Sequence, residues 1–176
     1  MHTSPWIDDD YVGALVSYNL RPKWAEVQEY ERFVWQELPR IPYRRDLETS
    51  IRMYARALDR RDWNTSFVRL WALLETLTAT YHHREVTRRV LPMVKDQHKD
   101  FHRQILRHLN GYRNRAVHTG HETGALEILL YQLKFYAEKL LEFHLSALPA
   151  FGSIQDAALF LDTATEDQVS RRMRGV

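Results

Sequence analysis

Leu126, Leu129, Leu130, Leu133, Ala137, Leu140, Leu141 and Leu148 recur at spacings of one, three, four and seven residues. Those are the spacings that gather side chains onto one face of an α-helix. A helix over about 122–147 is therefore expected, with Pro149 and Gly152 ending it. Such a helix must bury its apolar face against other elements, so it dictates what surrounds it. A second stripe, Trp63, Phe67, Leu70, Trp71, Leu74, Leu77 and Tyr81, predicts a helix over about 63–81 with Asp62 as its N-cap.

The remaining periodicity is also helical. Trp24, Val27, Tyr30, Phe33, Val34 and Leu38 predict a helix over 23–38, which Pro39 and Pro42 separate from another over about 43–60. Residues 84–92 read as a short basic segment ended by Pro92. The next helix spans about 95–112, with Phe101, Ile105, Leu109 and Tyr112 turned inward. Two short helices, about 153–162 and 165–174, close the chain. Alternation of strand period is absent outside the first twenty residues, where Tyr11 to Leu20 reads as a short strand or an ordered arm. The expected fold is all-α: a helical bundle of four main helices plus shorter flanking helices. The expected division is an N-terminal arm and first helix over 1–45, packing on a helical domain over 46–176.

With 44% hydrophobic residues, the chain can form a real core, yet no run of 18 apolar residues suggests a membrane span. The first ten residues lack the basic and apolar regions of a secretory signal. Cysteine is absent, which excludes disulfides, thiolate metal sites and cysteine nucleophiles and fits a reducing compartment. A cytoplasmic protein is expected. The formal net charge is only +2, so a basic coat over the whole surface is not indicated. The charge is unevenly placed, however. Arg84, Arg88, Arg89, Lys95, Lys99, Arg103, Arg107, Arg113 and Arg115 face only Glu85, Asp96 and Asp100 across residues 82–118.

The run Arg113-Asn114-Arg115-Ala116-Val117-His118 sits inside that basic excess. An Arg that stays charged and forks onto phosphate oxygens, near a His that titrates close to neutrality, is a plausible unit for phosphodiester cleavage. Within one unbroken helix, positions 113 and 118 lie about 140° apart and cannot face one pocket. They converge if the helix ends between them, which the capping-box pattern Thr119-Gly120-His121-Glu122 makes plausible. A two-fold axis near the motif is the other route. Glu75, about 40° from Trp71 at the edge of its stripe, is a candidate to pair with Arg113; a boundary Glu facing water is the alternative.

Nine histidines and no cysteine offer little metal chemistry. His98 and His102 share an i, i+4 spacing, and His82-His83 and His118/His121 are further pairs, but no His-Glu-x-x-His pattern occurs; no metal and no cofactor are expected. His144 and His108 border apolar stripes and read as satisfied core histidines. Trp63 and Trp71 read as core rather than as stacking platforms.

Arg113, Asn114 and His118, between two long helices, resemble the signature of the HEPN superfamily (higher eukaryotes and prokaryotes nucleotide-binding domains). The segment from Phe67 to Leu77 is similar to the helix preceding the motif in its Apea-like branch, and Phe151 to Asp162 is similar to the segment beyond the motif in that branch. The resemblance spans about residues 50–165. It implies a metal-independent endoribonuclease working as a homodimer through its motif-bearing helices. His118 would be the acid or base, Arg113 the transition-state cation, Asn114 an orienting group and Glu75 the residue that positions Arg113. Arg115, His121 and Arg107 would bind RNA. A toxin or antiviral defence role, with an antitoxin or sensor domain as partner, is implied by analogy. Many members have lost catalysis, so the resemblance equally admits an inactive dimerisation or sensing module of a larger defence protein.

Overall fold

Asp62 starts the central helix. Its backbone is extended, and its carboxylate accepts hydrogen bonds from Asn64 N and Thr65 N, both at 3.0 Å. Two of the amides that a helix start leaves unpaired are thus satisfied. The Thr65 hydroxyl and these amides hold the Asp62 carboxyl below its ordinary pKa. The computed structural model describes residues 23–60, 62–119, 126–146 and 151–174, with 116–119 and 174 described as backbone alone.

Eight α-helices and no strand occur among the described residues. They are α1 (Trp24–Glu37), α2 (Arg44–Leu58), α3 (Trp63–Leu77), α4 (His83–Val90), α5 (Lys99–Thr119), α6 (Leu126–Ser146), α7 (Ile154–Thr163) and α8 (Glu166–Arg174). The all-α expectation holds. No helix of the described residues is long and apolar enough to cross a membrane. The expected strand or arm from Tyr11 to Leu20, the segment 120–125, and Leu148 and Pro149 lie outside the described residues.

Helix α3 is the axis of the bundle. Phe67, Leu70, Leu73, Leu74 and Leu77 are fully buried and Trp71 nearly so. Helices α2 and α6 cover it on two sides. The short side chains of Ser50, Ala57 and Ser66 are buried as well, and Ser50 satisfies its hydroxyl on Asp46 O at 2.9 Å. The expected stripe is right at its centre and wrong at its ends. Trp63 is 45% exposed and Tyr81 is 87% exposed. The helix stops at Leu77, where the Thr78 hydroxyl donates to Leu74 O at 2.6 Å. Ala79 then takes the left-handed conformation, with φ of 49°, and turns the chain away.

Helix α5 departs most from expectation. A 3₁₀ turn at Asp96–His98 precedes it, and it runs seven residues past Tyr112. A mid-helix glycine costs about 1 kcal/mol against alanine, and Gly111 does not break the helix here. Tyr112 anchors it just beyond: its hydroxyl donates to Asn64 Oδ1, and its ring meets Phe67 edge-on at 4.8 Å. The inward residues are Leu106, Leu109 and Tyr112, whereas Phe101 is 62% exposed and His108 also faces solvent. The predicted stripe thus holds at Leu109 and Tyr112, with Ile105 part-buried against the core, and fails at Phe101, while Leu106 joins it.

Near residue 45 no gap in the core separates an arm from the bundle. Leu38, Ile41 and Tyr43 belong to the same buried cluster as α3 and α6. Helix α1 packs on this cluster through Phe33 and Val34 near its C-terminal end, while Trp24, Val27, Tyr30 and Trp35 are exposed.

Two buried polar ties hold the C-terminal end of α3. His144 of α6 is fully buried, as a satisfied core histidine should be. Its Nε2 lies 2.8 Å from Leu77 O, which can only accept, so Nε2 carries the proton and Nδ1 accepts from the Tyr43 hydroxyl at 3.2 Å. Burial pushes the His144 pKa down to about 4 from 6.5, and the Tyr43 hydroxyl up to about 12. The second tie is Arg89 of α4, with only 5% of its surface exposed. Its Nε and NH2 donate to the two Asp162 oxygens of α7 at 2.8 and 2.9 Å, and NH1 donates to Thr78 O at 2.6 Å.

The His144 ring must be neutral in the folded state and is free to protonate in the unfolded one. Its share of stability is full above pH 6.5 and is lost as pH falls toward 4. We expect unfolding free energy to fall by ~3 kcal/mol over that interval, and denaturant titrations of His144→Gln to show a flatter profile. Arg89→Ala leaves the Thr78 carbonyl without this donor and Asp162 with Arg88 as its remaining cation. It should lower stability by about 1–3 kcal/mol in the same assay.

Candidate functional site

Trp71 and Glu75 stand one turn apart on α3, which sets their side chains side by side. The Trp71 indole Nε1 donates to Glu75 Oε1 at 2.8 Å. Glu75 is buried, with 8% exposed, and the same Oε1 faces Arg113 NH2 of α5 at 3.6 Å. The Arg113 side chain stays 39% open while that of Glu75 is 10% open. Its NH1 also donates to Asn114 Oδ1 at 3.3 Å, and Asn114 is exposed. Glu75, Arg113 and Asn114 therefore form one cluster. Its charge is anchored from below and offered to solvent from above.

The break expected between Arg113 and Thr119 is absent. Helix α5 is continuous through Thr119. Its backbone keeps positions 113 and 118 about 140° apart, so one chain does not turn both toward a single pocket. The side chain of His118, and His121 entirely, lie outside the described residues. Arg115 takes a different direction from Arg113: it is exposed, and its NH1 lies 3.6 Å from where a Cβ on Gly111 would stand.

Arg107 belongs to a second place. It lines a groove of about 840 Å³ between α4, α5 and α7, with His83, Arg84, Arg88, Lys99, Arg103 and Asn110. The basic excess of residues 82–118 is thus gathered on two facing helices rather than spread over one solvated face. Asp162 is the acidic residue of the lining, and its carboxylate is taken up by Arg89 and by Arg88, which approaches to 2.8 Å. Arg89 and Arg88 hold the Asp162 carboxyl below its ordinary pKa. Sequence reasoning missed Arg84, Arg88, Arg103 and Asp162 as neighbours of Arg107. The charge bias was their one local signal.

The His98 and His102 pair is otherwise engaged. His102 Nδ1 lies 2.8 Å from the Tyr136 hydroxyl, with its ring stacked on Phe135, and burial lowers its pKa. His98 Nε2 lies 3.1 Å from Gln97 Nε2. Among the described residues no group of three or more His, Asp or Glu is placed to hold a metal ion.

No protein-family model, curated protein or solved structure matches this chain.

The cluster is asymmetric in what each residue needs. Glu75→Gln keeps an acceptor for Trp71 and leaves Arg113 to water, so it should cost less than about 1 kcal/mol. Arg113→Ala leaves a buried carboxylate with an indole as its remaining partner, and should cost about 1–3 kcal/mol. Thermal melts of the two variants check that order.

Proposed function

We propose that this chain is a metal-independent endoribonuclease that acts as a homodimer, of the kind its Arg113–Asn114–His118 motif resembles. The observation that carries the reading is the Arg113 guanidinium, braced 3.6 Å from buried Glu75 yet 39% open beside Asn114. A charged fork held in place before substrate arrives is suited to stabilising charge that develops on a phosphorane. In the proposed reaction, His118 takes the proton of an RNA 2′-hydroxyl and that oxygen attacks the adjacent phosphorus. The bond to the 5′-oxygen breaks, and the leaving oxygen receives a proton from an imidazolium. Products carry a 2′,3′-cyclic phosphate and a 5′-hydroxyl, and DNA resists because it lacks the attacking group. Arg107, Arg115 and His121 are proposed to bind the RNA.

The homodimer is supported by two features. The separation of positions 113 and 118 on an unbroken helix leaves a second motif as the way to complete one cleft. On α6, Ile128 and Tyr131 are 63% and 73% exposed on one face with Phe135, whose ring stacks on His102 next to exposed Phe101 of α5. Apolar groups in such a row suit an interface. A role as a toxin or antiviral effector, held by an antitoxin or a sensor domain, is proposed by analogy. The same separation favours a second reading: a catalytically silent HEPN module that dimerises or senses within a larger defence protein.

The test is RNA cleavage in EDTA, read on labelled single-stranded RNA. Cleavage should persist in chelator and yield the cyclic phosphate. Arg113→Lys, which keeps the charge on Glu75 but loses the fork, and His118→Ala should each slow it by about 10²-fold or more. Ile128→Glu with Tyr131→Glu should give monomers by ultracentrifugation and lose cleavage with them. Full activity in both motif variants would sink the enzyme reading. Wild-type dimers that cut no RNA would favour the silent module.

A further inference from the structure

The groove between α4 and α5 is basic on both walls. Arg84 and Arg88 stand one turn apart on α4, and Lys99, Arg103 and Arg107 stand one turn apart on α5. Three of these charges have local partners: Arg88 with Asp162 and Lys99 with Asp96 at 2.8 and 2.6 Å, and Arg103 with Asp100. Asp96 and Asp100 are 71% and 88% exposed and neighbour their partners on the same turn, so they neutralise little of the groove itself. Arg84 and Arg107 form no ion pair with a described residue. The net field in the groove is positive.

The arrangement also has a length and a direction. Lys99 to Arg107 covers eight residues, about 12 Å along the helix axis, with a cation at each turn. A compact phosphate needs one such turn; a row suits a linear polyanion. A concave groove between two helices suits one flexible strand, which can follow it, more than a rigid duplex. No Phe, Tyr or Trp lines the groove and His83 is its one aromatic ring, so the cations outnumber any platform on which bases could be read. On α5 the stripe continues from Asn110 to Asn114, and positions 99, 103, 107, 110 and 114 share an arc of about 80°. The groove therefore leads along one helix face to Asn114 of the cluster, with Arg113 about 40° beyond the edge of that arc.

We infer that the groove walled by Arg84, Arg88, Lys99, Arg103 and Arg107 binds the sugar-phosphate backbone of single-stranded nucleic acid, without regard to base, and leads it toward Arg113. The direction toward Arg113 rests on the proposed ribonuclease function; the groove as a backbone site does not. Because it contacts phosphates, it accepts DNA that the cleavage site cannot cut. Single-stranded DNA is thus a ligand that separates binding from chemistry.

The test uses the full chain and a fluorescein-labelled oligodeoxythymidylate of about twelve nucleotides, within the span of single-strand-binding grooves. Anisotropy titrations over a range of salt give affinity and its salt dependence. Removing two phosphate contacts should make the slope of log K against log salt shallower by about 1.4. Arg84→Gln with Arg107→Gln should do this and weaken binding about tenfold or more. Both sites are exposed on helices, and circular dichroism checks the fold. Arg45→Gln with Arg52→Gln on α2 removes the same charge away from the groove and should change neither quantity. Equal losses in the two double variants would overturn the inference. So would wild-type affinity in the groove variant, absence of binding by the wild type, or equally tight binding of a polyglutamate peptide. A wild type that binds this DNA through the groove but cuts no RNA would sink the ribonuclease reading and leave the groove standing.

Discussion

The Arg89 guanidinium is the tie on which the rest of this architecture depends. Its fork closes on both oxygens of Asp162, and its third nitrogen takes the Thr78 carbonyl at the end of α3. Three separate elements, α3, α4 and α7, meet at one buried cation. A buried charge is tolerated only when its hydrogen bonds are met, and Arg has the planar set of donors to meet three acceptors at once. The tie also has a consequence at the surface. It fixes α4 beside α7, and so stands Arg84 and Arg88 opposite the cationic stripe of α5.

Glu75 repeats the same logic at smaller scale. A carboxylate 8% exposed would be costly alone, but it accepts from Trp71 and faces Arg113. The indole fixes the carboxylate, and the carboxylate fixes the guanidinium. Arg113 consequently needs little rearrangement to present its charge. Its neighbours Arg107 and Arg115 point elsewhere because α5 is a continuous helix: a step of six residues back or two forward turns a side chain to another face.

Much of the fold was legible in local pattern. Asp62 announced the start of α3, the leucine spacing announced α6, and His144 within an apolar stripe announced a satisfied buried ring. The errors have physical causes. Trp63 and Tyr81 continue the α3 spacing, but Trp63 is the exposed first residue of the helix and Tyr81 lies beyond its end at Leu77, past the turn at Ala79. Phe101 sits at helical spacing from Ile105, Leu109 and Tyr112, which do pack inward, yet it is exposed, because spacing defines a stripe without saying how far along the helix a partner covers it. The expected break before Thr119 rested on the Thr119-Gly120 capping-box pattern, yet α5 runs on through Thr119 and through Gly111. The anchoring of Tyr112 on Asn64, 48 residues away, offsets the propensity of one glycine.

By itself the sequence determined the helical periodicity of the described segments, the Asp62 cap, the charge bias of residues 82–118, and the types of residue at positions 75, 113, 114 and 118. Those are properties of neighbours three or four residues apart, and helical periodicity expresses them directly. Only the tertiary structure decided that Glu75 meets Arg113, that Arg89 closes on Asp162, and that the cations of α4 and α5 line one groove. Each of these joins residues on different helices, and which helix faces meet is set by packing of the whole core rather than by any local pattern.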